Sequence, residues 1–487
     1  MGRKWLILLA VLVLFARLFA AYSNPGFSSP EAYVHARHID YILATGKPMT
    51  HDTLSWSGKD VAGSVLYEYL LAAGAFFLGT YHALKIIPNL FATAGLIIVY
   101  FLGLAITKKE TIALAGAAFA GFMPYFFLHT VNNASAASLG VPLFLFLAYA
   151  LLRAHDHRWV VIYLAILFFT SFYSPMILLF VFALAVYLAL VLTGNLAADR
   201  IELELVFFSI FFSIWAQFIV YKNVLFFHGW GIFFQHIPDA FLANLSHVSL
   251  LGIFYDMGVV PLIAGIAVVY HYFLKKKDRT VYLLTGVLLA ITLTVWLRLA
   301  PLVDGILYMS QVFSSLFAEW LRSFQKWFTH TRAARYPYLF TTSLTLLFLL
   351  TTIHPIVAGL PELSGPRQEY LEAMDFLKTT PQDSIVAAPL DDGIYIASIA
   401  QRANVLDSDI LLAPSPEERL SDIKRLVSTH IETEAVELMD KYHAEYLLIH
   451  DDQTPLAYAP GKCFTNAFSN TLVTVYHKST LCRVRPR

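Results

Sequence analysis

Residues 5–41 read WLILLAVLVLFARLFAAYSNPGFSSPEAYVHARHIDY, an apolar run followed by a polar segment with acidic, basic and imidazole side chains. At about 1.5 Å per helical residue, the run from 5 to 22 is close to the length needed to cross roughly 30 Å of hydrocarbon. We therefore expect a membrane span that delivers the polar segment to the far side. A cleavable signal sequence is the alternative, because Arg3 and Lys4 precede the run, although signal cores usually have only about 7–15 apolar residues.

The composition of the whole chain also indicates a membrane protein. Of the 487 residues, 58% are hydrophobic and 14% are charged, with a mean hydropathy of +0.62. Soluble domains are about 45–50% apolar and about 25% charged. The 34 basic and 34 acidic residues leave a formal net charge of +0, which argues against a nucleic-acid partner held by a global basic field. Two cysteines are too few for a cysteine-rich zinc module.

Apolar runs of spanning length recur as far as about residue 360, and we count about eleven of them. They lie at residues 5–22, 86–106, 110–131, 136–153, 158–172, 174–194, 203–225, 256–274, 280–299, 300–322 and 336–358. The basic loops between them are expected in the cytoplasm, which places the N-terminus inside and the loop 23–85 outside. If residues 63–79 also crossed the membrane, the basic loops after them would face outward. We therefore expect this segment to be re-entrant or interfacial. The predicted fold of residues 1–360 is a polytopic α-helical membrane domain.

The composition changes at Pro361, beyond which amphipathic helical segments alternate with short strand-like segments. The helical segments are EYLEAMDFLK (369–378), SPEERLSDIKRLV (415–427) and ETEAVELMDKYHA (432–444), and the strand-like ones are SIVAAPL (384–390), EYLLIHD (445–451) and TLVTVYHK (471–478). We expect residues 361–487 to form a small external α/β domain. Its oxidising compartment would allow Cys463 and Cys482 to form a disulfide.

The polar segment after the first span carries the first candidate site. If it is helical, Glu31, His35 and His38 share one face at i, i+4 and i+7, with Arg37 beside them. Asp52 follows later in the same loop. A carboxylate next to imidazoles and a guanidinium suits general-base catalysis on a hydroxyl, or the anchoring of an anionic headgroup. A solvated interfacial helix would carry similar charges, and the spacing matches no recognised zinc site.

The same residues resemble a family motif. Glu31-Ala32-Tyr33-Val34-His35-Ala36-Arg37 resembles the Asp-Pro-Tyr-Tyr-His-Leu-Arg motif in the first external loop of oligosaccharyltransferase catalytic subunits. Continued through Ala44-Thr45-Gly46, the stretch is similar to the loop of aminoarabinose and protein-mannosyl transferases. All belong to the glycosyltransferase-C class. The resemblance implies an inverting glycosyltransferase with Glu31 at the position of the catalytic acid. It also implies a polyprenyl- or dolichyl-phosphate-linked sugar as donor, and a glycan, lipid or protein as acceptor.

Further site residues take their roles from this resemblance. Arg298 lies at the external end of a predicted span, where similar transferases have an arginine that contacts the lipid-linked phosphate. Snorkelling to the interface, with Asp304 as a partner, is the alternative. With Arg298, the predicted substrate- or lipid-phosphate-binding residues are His35, Arg37 and Asp52.

A second turn that is predicted to be external, at Asn132 and Asn133, is relevant to whether the protein uses a metal cofactor. Asn132 and Asn133 occupy the place where oligosaccharyltransferases have acidic residues that help to hold a divalent metal. Amides are weaker ligands for hard cations than carboxylates are, and a capped turn is the alternative interpretation. Among these residues only Glu31 could serve as a carboxylate ligand, so the resemblance leaves a Mg or Mn cofactor open.

The C-terminal region departs from the oligosaccharyltransferase pattern. Ala388-Pro389-Leu390-Asp391-Asp392-Gly393 takes the place of a Trp-Trp-Asp-Tyr-Gly motif, whose tryptophans bind the sequon hydroxyl in that family. Their loss argues against protein N-glycosylation, and a divergent oligosaccharyltransferase is the second hypothesis. A non-catalytic relative or a transporter is the third, although we find no internal repeat. We expect an integral protein of a prokaryotic plasma membrane, in contact with membrane lipids, whose active site and C-terminal domain face outward.

Overall fold

The computed structural model describes residues 2–62, 65–194, 196, 199–229, 249–297, 299–409, 412–450 and 456–483. Helices dominate the described part as far as residue 359. In chain order they are α1 (Gly2–Tyr22), α2 (Pro30–Thr45), α3 (Val65–Leu78), α4 (Thr80–Thr107), α5 (Glu110–Gly121), α6 (Pro124–Val131), α7 (Ala137–Leu152), α8 (His157–Tyr173), α9 (Ile177–Thr193), α10 (Arg200–His228), α11 (Leu250–Asp256), α12 (Val259–Leu274), α13 (Arg279–Trp296), α14 (Leu302–Thr329), α15 (Pro337–Phe348) and α16 (His354–Gly359). A short β-hairpin, β1 (His51–Asp52) and β2 (Lys59–Asp60), interrupts them.

The predicted spans coincide with these helices. Each of the eleven apolar runs falls on one helix or on consecutive helical segments. Within the described residues, five helical segments are long and apolar enough to cross a membrane, and a sixth qualifies if α5 and α6, bent by 48°, count as one span. The other runs lie on shorter apolar helices or, for α14, on a helix that carries several charges. Eleven crossings therefore stay a prediction.

Helix α3 bears on the expectation for residues 63–79. It has 14 residues and is therefore about 21 Å long. Near its start, Glu68 lies 2.5 Å from the His38 ring, and just beyond its end Thr80 donates a 2.6 Å hydrogen bond to Asp40. His38 and Asp40 are neighbours on α2, so both ends of α3 lie beside the same helix. The re-entrant or interfacial position of residues 63–79 stays a prediction.

Two buried cations stabilise the packing of α1, α4 and α6. Arg17 of α1 is 1% exposed and donates hydrogen bonds to Asn89 (2.9 Å) and Thr130 (2.6 Å). Lys85 of α4 is 0% exposed and donates to the carbonyls of Ala21, Asn24 and Gly26 and, at 2.5 Å, to the Asn132 side chain. Buried charges are tolerated only when polar groups compensate them. This network therefore holds in place the junction between α1 and the loop 23–85.

The C-terminal region contains a five-stranded mixed sheet flanked by helices. Its elements are α17 (Gln368–Thr379), β3 (Ile385–Ala387), α18 (Gly393–Tyr395), β4 (Ala403–Asn404), α19 (Pro416–Ser428), α20 (Glu432–Lys441), β5 (Ala444–His450), β6 (Phe464–Ser469) and β7 (Val473–Lys478). The strand order is β4-β3-β5-β7-β6, with β3 parallel to both of its neighbours and the other pairs antiparallel. Cys463 and Cys482 form a disulfide. The boundary predicted at residue 361 has no independent test.

The loop 23–85, which is predicted to be external, continues this sheet. Trp56 donates its backbone N–H to the carbonyl of Asn404 at 2.8 Å, and Asn404 donates to the carbonyl of Leu54 at 2.8 Å. The loop thus pairs with the edge strand β4, which would otherwise expose unpaired backbone groups. The Trp56 ring also contacts the Arg419 guanidinium, 4.9 Å from its centroid. The loop that carries Glu31 is thereby joined to the C-terminal sheet.

Candidate functional site

A cavity of about 350 Å³ opens where the helical bundle, the loop 23–85 and the C-terminal region meet. Residues from α2, α3, α10 and α14 line it, together with the segment before α7, the α8–α9 junction and one residue of the C-terminal region. The lining side chains that can carry charge are Glu31, His35, His38, Glu68, Asp304 and Asp409. The cavity is therefore a place where titratable groups from distant parts of the sequence converge.

Glu31 owes its position to the start of α2. Ser29 is extended and its hydroxyl accepts a 3.1 Å hydrogen bond from the Glu31 N–H, while Pro30 occupies the first helical turn. Both features favour a helix start at this point, and a carboxylate in the first turn is stabilised by the helix dipole. The Glu31 side chain remains 47% exposed. It is thus a carboxylate held by backbone geometry and open to a ligand.

The face predicted from helical spacing exists. Glu31, His35 and His38 all line the cavity, and the His35 Nε2 atom lies 3.5 Å from Glu31 Oε1. The other nitrogen of His35 lies 3.8 Å from Glu68 Oε1, which also contacts His38 Nδ1 at 2.5 Å. The sequence pattern missed Glu68, although it was the only carboxylate in the apolar run 63–79. That isolated charge was the available signal.

The two carboxylates control the charge of His35. Burial opposes protonation of the imidazole, but Glu31 and Glu68 outweigh it and raise the pKa of His35 to about 9. The imidazolium therefore lies between two carboxylates at neutral pH. In the same cluster the pKa of Glu68 lies well below its usual range, because His35 and His38 overcome the opposing effect of burial. The cluster holds Glu31 beside a fixed positive charge.

A pH dependence of stability follows from the raised pKa of His35. The stabilisation is fully present below the unfolded-state pKa of about 6.5 and is lost as the pH rises through about 9. We expect the wild type to lose stability relative to His35→Gln across this window, by roughly 1–3 kcal/mol. Unfolding midpoints of both proteins in detergent between about pH 6 and about pH 10 measure the difference. A constant difference across the window would refute a charged His35.

Arg37 and Asp52 are brought together, but beside the cavity rather than in its wall. Arg37 donates two hydrogen bonds to the Asp52 carboxylate, one of them at 3.0 Å. Burial alone would raise the pKa of Asp52, but Arg37 lowers it below its usual value. Both side chains line a narrow pocket of about 20 Å³ against residues 394–398. Their predicted role in substrate or lipid-phosphate binding stays a prediction, since each is occupied by the other.

Asn132 and Asn133 do not line the described cavity. The Asn132 side chain accepts from Lys85 and donates to the carbonyls of Gly26 (3.0 Å) and Leu363 (2.8 Å), while Asn133 donates to the His129 carbonyl at 3.2 Å. The Asn132 side chain thus ties the loop 23–85 to the approach to the C-terminal region. Among the described residues, no group of three or more His, Cys, Asp or Glu side chains is arranged to hold a metal ion. The possible second site at Asn132 and Asn133 stays a prediction.

Several other predicted features can be placed. Asp391 and Asp392 lie in the turn after β3, where buried Asp392 accepts a hydrogen bond from Tyr370 (2.7 Å) and contacts His450 (2.9 Å). Asp304, the partner of Arg298 in the snorkelling alternative, lines the cavity. Arg298 itself lies outside the described residues, so its pairing stays a prediction.

Comparisons with solved structures identify the fold. The structure of an oligosaccharyltransferase from Archaeoglobus fulgidus in the apo form matches with a TM-score of 0.70 and 13% identity, over 99% of this chain and 75% of that one. ArnT from Cupriavidus metallidurans bound to undecaprenyl phosphate matches with a TM-score of 0.61 and 10% identity, over 100% of both chains. The arabinofuranosyltransferase AftD from Mycobacteria matches with a TM-score of 0.60 and 14% identity, over 99% of this chain and 40% of that one.

Sequence comparisons add nothing to this result, since no protein-family model and no curated protein sequence match the chain. Identities of 10–14% support a statement about the fold alone. The structural likeness nevertheless extends over 99% of this chain for the oligosaccharyltransferase and 100% for ArnT, and it confirms the resemblance to the glycosyltransferase-C class. The chain has the glycosyltransferase-C membrane fold.

Proposed function

We propose that the chain is a membrane glycosyltransferase that transfers a sugar from a polyprenyl-phosphate-linked donor to an acceptor on the external face. The observation that carries the proposal is the exposed Glu31 carboxylate, held at the start of α2 in a cavity between the bundle and the C-terminal region. The solved structures with this fold include one bound to undecaprenyl phosphate and one in complex with a dolichol-phosphate. A lipid-linked donor is therefore the substrate class we assign to this chain.

The cavity supplies a general base for such a transfer. The acceptor hydroxyl attacks the anomeric carbon while Glu31 accepts its proton. The bond between that carbon and the phosphate oxygen breaks, and its electron pair leaves with the lipid phosphate. A single displacement inverts the anomeric configuration. His35, 3.5 Å from Glu31, orients the carboxylate, and Glu68 fixes His35 from the other side.

The leaving phosphate needs a positive charge, and we assign this role to Arg298. A guanidinium can form two parallel hydrogen bonds to phosphate oxygens, which neutralises charge without a metal ion. Among the described residues of the site there is no donor set for Mg or Mn. Because Arg298 would supply the positive charge, we expect transfer to survive chelation.

Two other functions are compatible with this fold. A divergent oligosaccharyltransferase is supported by the match to the archaeal enzyme over 99% of this chain. The absence of two tryptophans before Asp391 argues against it, because a sequon hydroxyl would lose its binding site. A non-catalytic or transport relative would keep the fold without using Glu31. The open position of Glu31 in the cavity favours an enzyme.

The orientation part of the proposal has its own test. We expect Lys276 to face the cytoplasm and Gln382, an exposed residue of the C-terminal region, to face outward. An impermeant thiol reagent applied to sealed cells should label Gln382→Cys but not Lys276→Cys. Both native cysteines are in the disulfide and give no background. Labelling of Lys276→Cys in sealed cells would show that the orientation is the reverse of the proposed one.

The enzymatic part is tested with radiolabelled donors. Purified protein is incubated with a panel of polyprenyl-phosphate-linked sugars and with glycan, lipid and peptide acceptors, with and without chelator. We expect transfer of label from at least one donor, unchanged by the chelator. Loss of transfer on chelation would favour the metal-dependent oligosaccharyltransferase-like alternative. No transfer from any donor would favour the non-catalytic one.

A further inference from the structure

The charge of the cavity wall points to the kind of acceptor that it admits. Four carboxylates line it, those of Glu31, Glu68, Asp304 and Asp409, and the described lining contains no lysine or arginine. The opposing groups are the imidazoles of His35 and His38. With the four carboxylates ionised and both imidazoles protonated, the described wall still carries a net negative charge. A cleft lined by one sign of charge concentrates ions of the opposite sign and repels its own.

A second feature shows that this wall is built to receive hydrogen-bonding groups. His35 is only 8% exposed, and neither of its ring nitrogens has a hydrogen-bond partner in the structure. Its carboxylate neighbours, at 3.5 and 3.8 Å, are ion-pair contacts too long for hydrogen bonds. A buried polar group is normally hydrogen-bonded, so an unsatisfied imidazole in a cavity wall marks a position for a ligand oxygen.

Asp409 is the carboxylate that the C-terminal region contributes. Its backbone N–H donates to Asp407 at 3.0 Å, and its side chain, 58% exposed, lies 3.5 Å from Lys59. Lys59 is already paired with Asp407 at 2.8 Å. Lys59 is thus shared between Asp407 and Asp409, so the three side chains together carry a net negative charge. The C-terminal region places that charge at the cavity wall through Asp409.

We infer that the cavity selects acceptors that are neutral or positively charged around the reacting hydroxyl and rejects acceptors with a phosphate or carboxylate there, with Asp409 as a specificity-determining residue. This inference rests on the proposed function and narrows its acceptor class. The phosphate of the donor then lies outside the described wall. Polyhydroxylated sugars and amine-bearing groups fit the site, because they donate hydrogen bonds to carboxylates.

Cysteine modification measures this selectivity without any need for turnover. Val34 and Ala136 line the cavity and make no side-chain hydrogen bond, so Val34→Cys and Ala136→Cys each place a thiol in its wall. Ala467→Cys, on the exposed edge strand β6, is the reference thiol. Each is reacted at about pH 8, below the usual thiol pKa, with methanethiosulfonates that carry a trimethylammonium or a sulfonate group. The ratio of the two rates reports the local charge.

We expect the cation-to-anion ratio in the cavity to exceed that of the reference thiol by at least about tenfold, and the excess to shrink at high salt. Asp409→Asn should lower the ratio several-fold, whereas Asp383→Asn, at an exposed carboxylate outside this cavity, should leave it unchanged. Equal ratios in the cavity and at the reference would overturn the inference, as would two cavity thiols that react with neither reagent. An unchanged ratio in Asp409→Asn would show that Asp409 does not determine the charge selectivity of the cavity.

Failure of this inference and failure of the proposed function are distinguishable. Radiolabel transfer with no charge bias in the cavity would keep the transferase and discard the acceptor class. A strong bias without transfer from any donor would keep the charged cavity and discard the transferase.

Discussion

Glu31→Gln should lower the rate of sugar transfer by roughly 10²–10⁴-fold while the protein stays folded. Glutamine is nearly isosteric and retains the N–H that Ser29 caps, so the start of α2 is preserved. What it loses is the ability to accept a proton from the acceptor hydroxyl. The expected loss is in kcat, because proton transfer matters in the transition state and not in ground-state binding. Steady-state assays at saturating donor measure it.

A control on the same helix separates this effect from a general loss of charge. Asp40 is exposed on α2, hydrogen-bonds Thr80 and does not line the cavity. Asp40→Asn should transfer sugar at nearly the wild-type rate. Glu31→Asp should fall between wild type and glutamine, since it keeps the base at a shorter reach. Equal rates for wild type and Glu31→Gln would remove Glu31 from the mechanism.

The second large effect is expected at the ion pair that joins the loop 23–85 to the C-terminal region. Lys59 is 6% exposed and donates to both oxygens of Asp407, at 2.9 and 2.8 Å. Lys59→Met keeps the volume but leaves Asp407 buried without its counter-charge. Breaking a buried pair in this way costs about 3–5 kcal/mol. Thermal unfolding in detergent, followed by circular dichroism, measures the loss.

Two further variants test the origin of that loss. The double variant Lys59→Met/Asp407→Leu removes both buried charges, and we expect it to recover most of the stability, because the carboxylate that still loses its partner, Asp409, is 58% exposed. Arg200→Met breaks the ion pair between Arg200 and Glu204, two side chains that are 91% and 63% exposed. Exposed pairs of this kind contribute about 0–1 kcal/mol, so little change is expected. A Lys59→Met protein as stable as Arg200→Met would show that the buried pair does not stabilise the fold.

Helical periodicity predicted the part of the site that lies on one element. Glu31, His35 and His38 follow the 3.6-residue repeat of α2, so their common face was readable from spacing. The apolar runs were equally readable, because a bilayer needs long hydrophobic segments. Both kinds of prediction depend only on residues close in sequence, and both agree with the positions of the helices.

The rest of the site depends on contacts that spacing does not encode. Lys59 and Asp407 are 348 residues apart, and Asp409 reaches the cavity only because the loop pairs with the edge of the C-terminal sheet. Glu68 was overlooked because the apolar residues around it dominated the interpretation of the segment 63–79. Asn132 looked like a ligand by analogy, but the buried Lys85 uses its side chain. Long-range pairing of charges was thus the missing information.

The most direct test of the central claim is chemical rescue of Glu31→Ala. Alanine removes the carboxylate and one negative charge from the cavity wall and leaves space beside the His35 imidazolium, so formate at high concentration should bind there and act as the base. We predict that the alanine variant transfers sugar from its lipid-phosphate donor very slowly, that formate raises its rate in a concentration-dependent manner, and that formate leaves the wild type unchanged. Transfer by Glu31→Ala at the wild-type rate without formate would contradict the account.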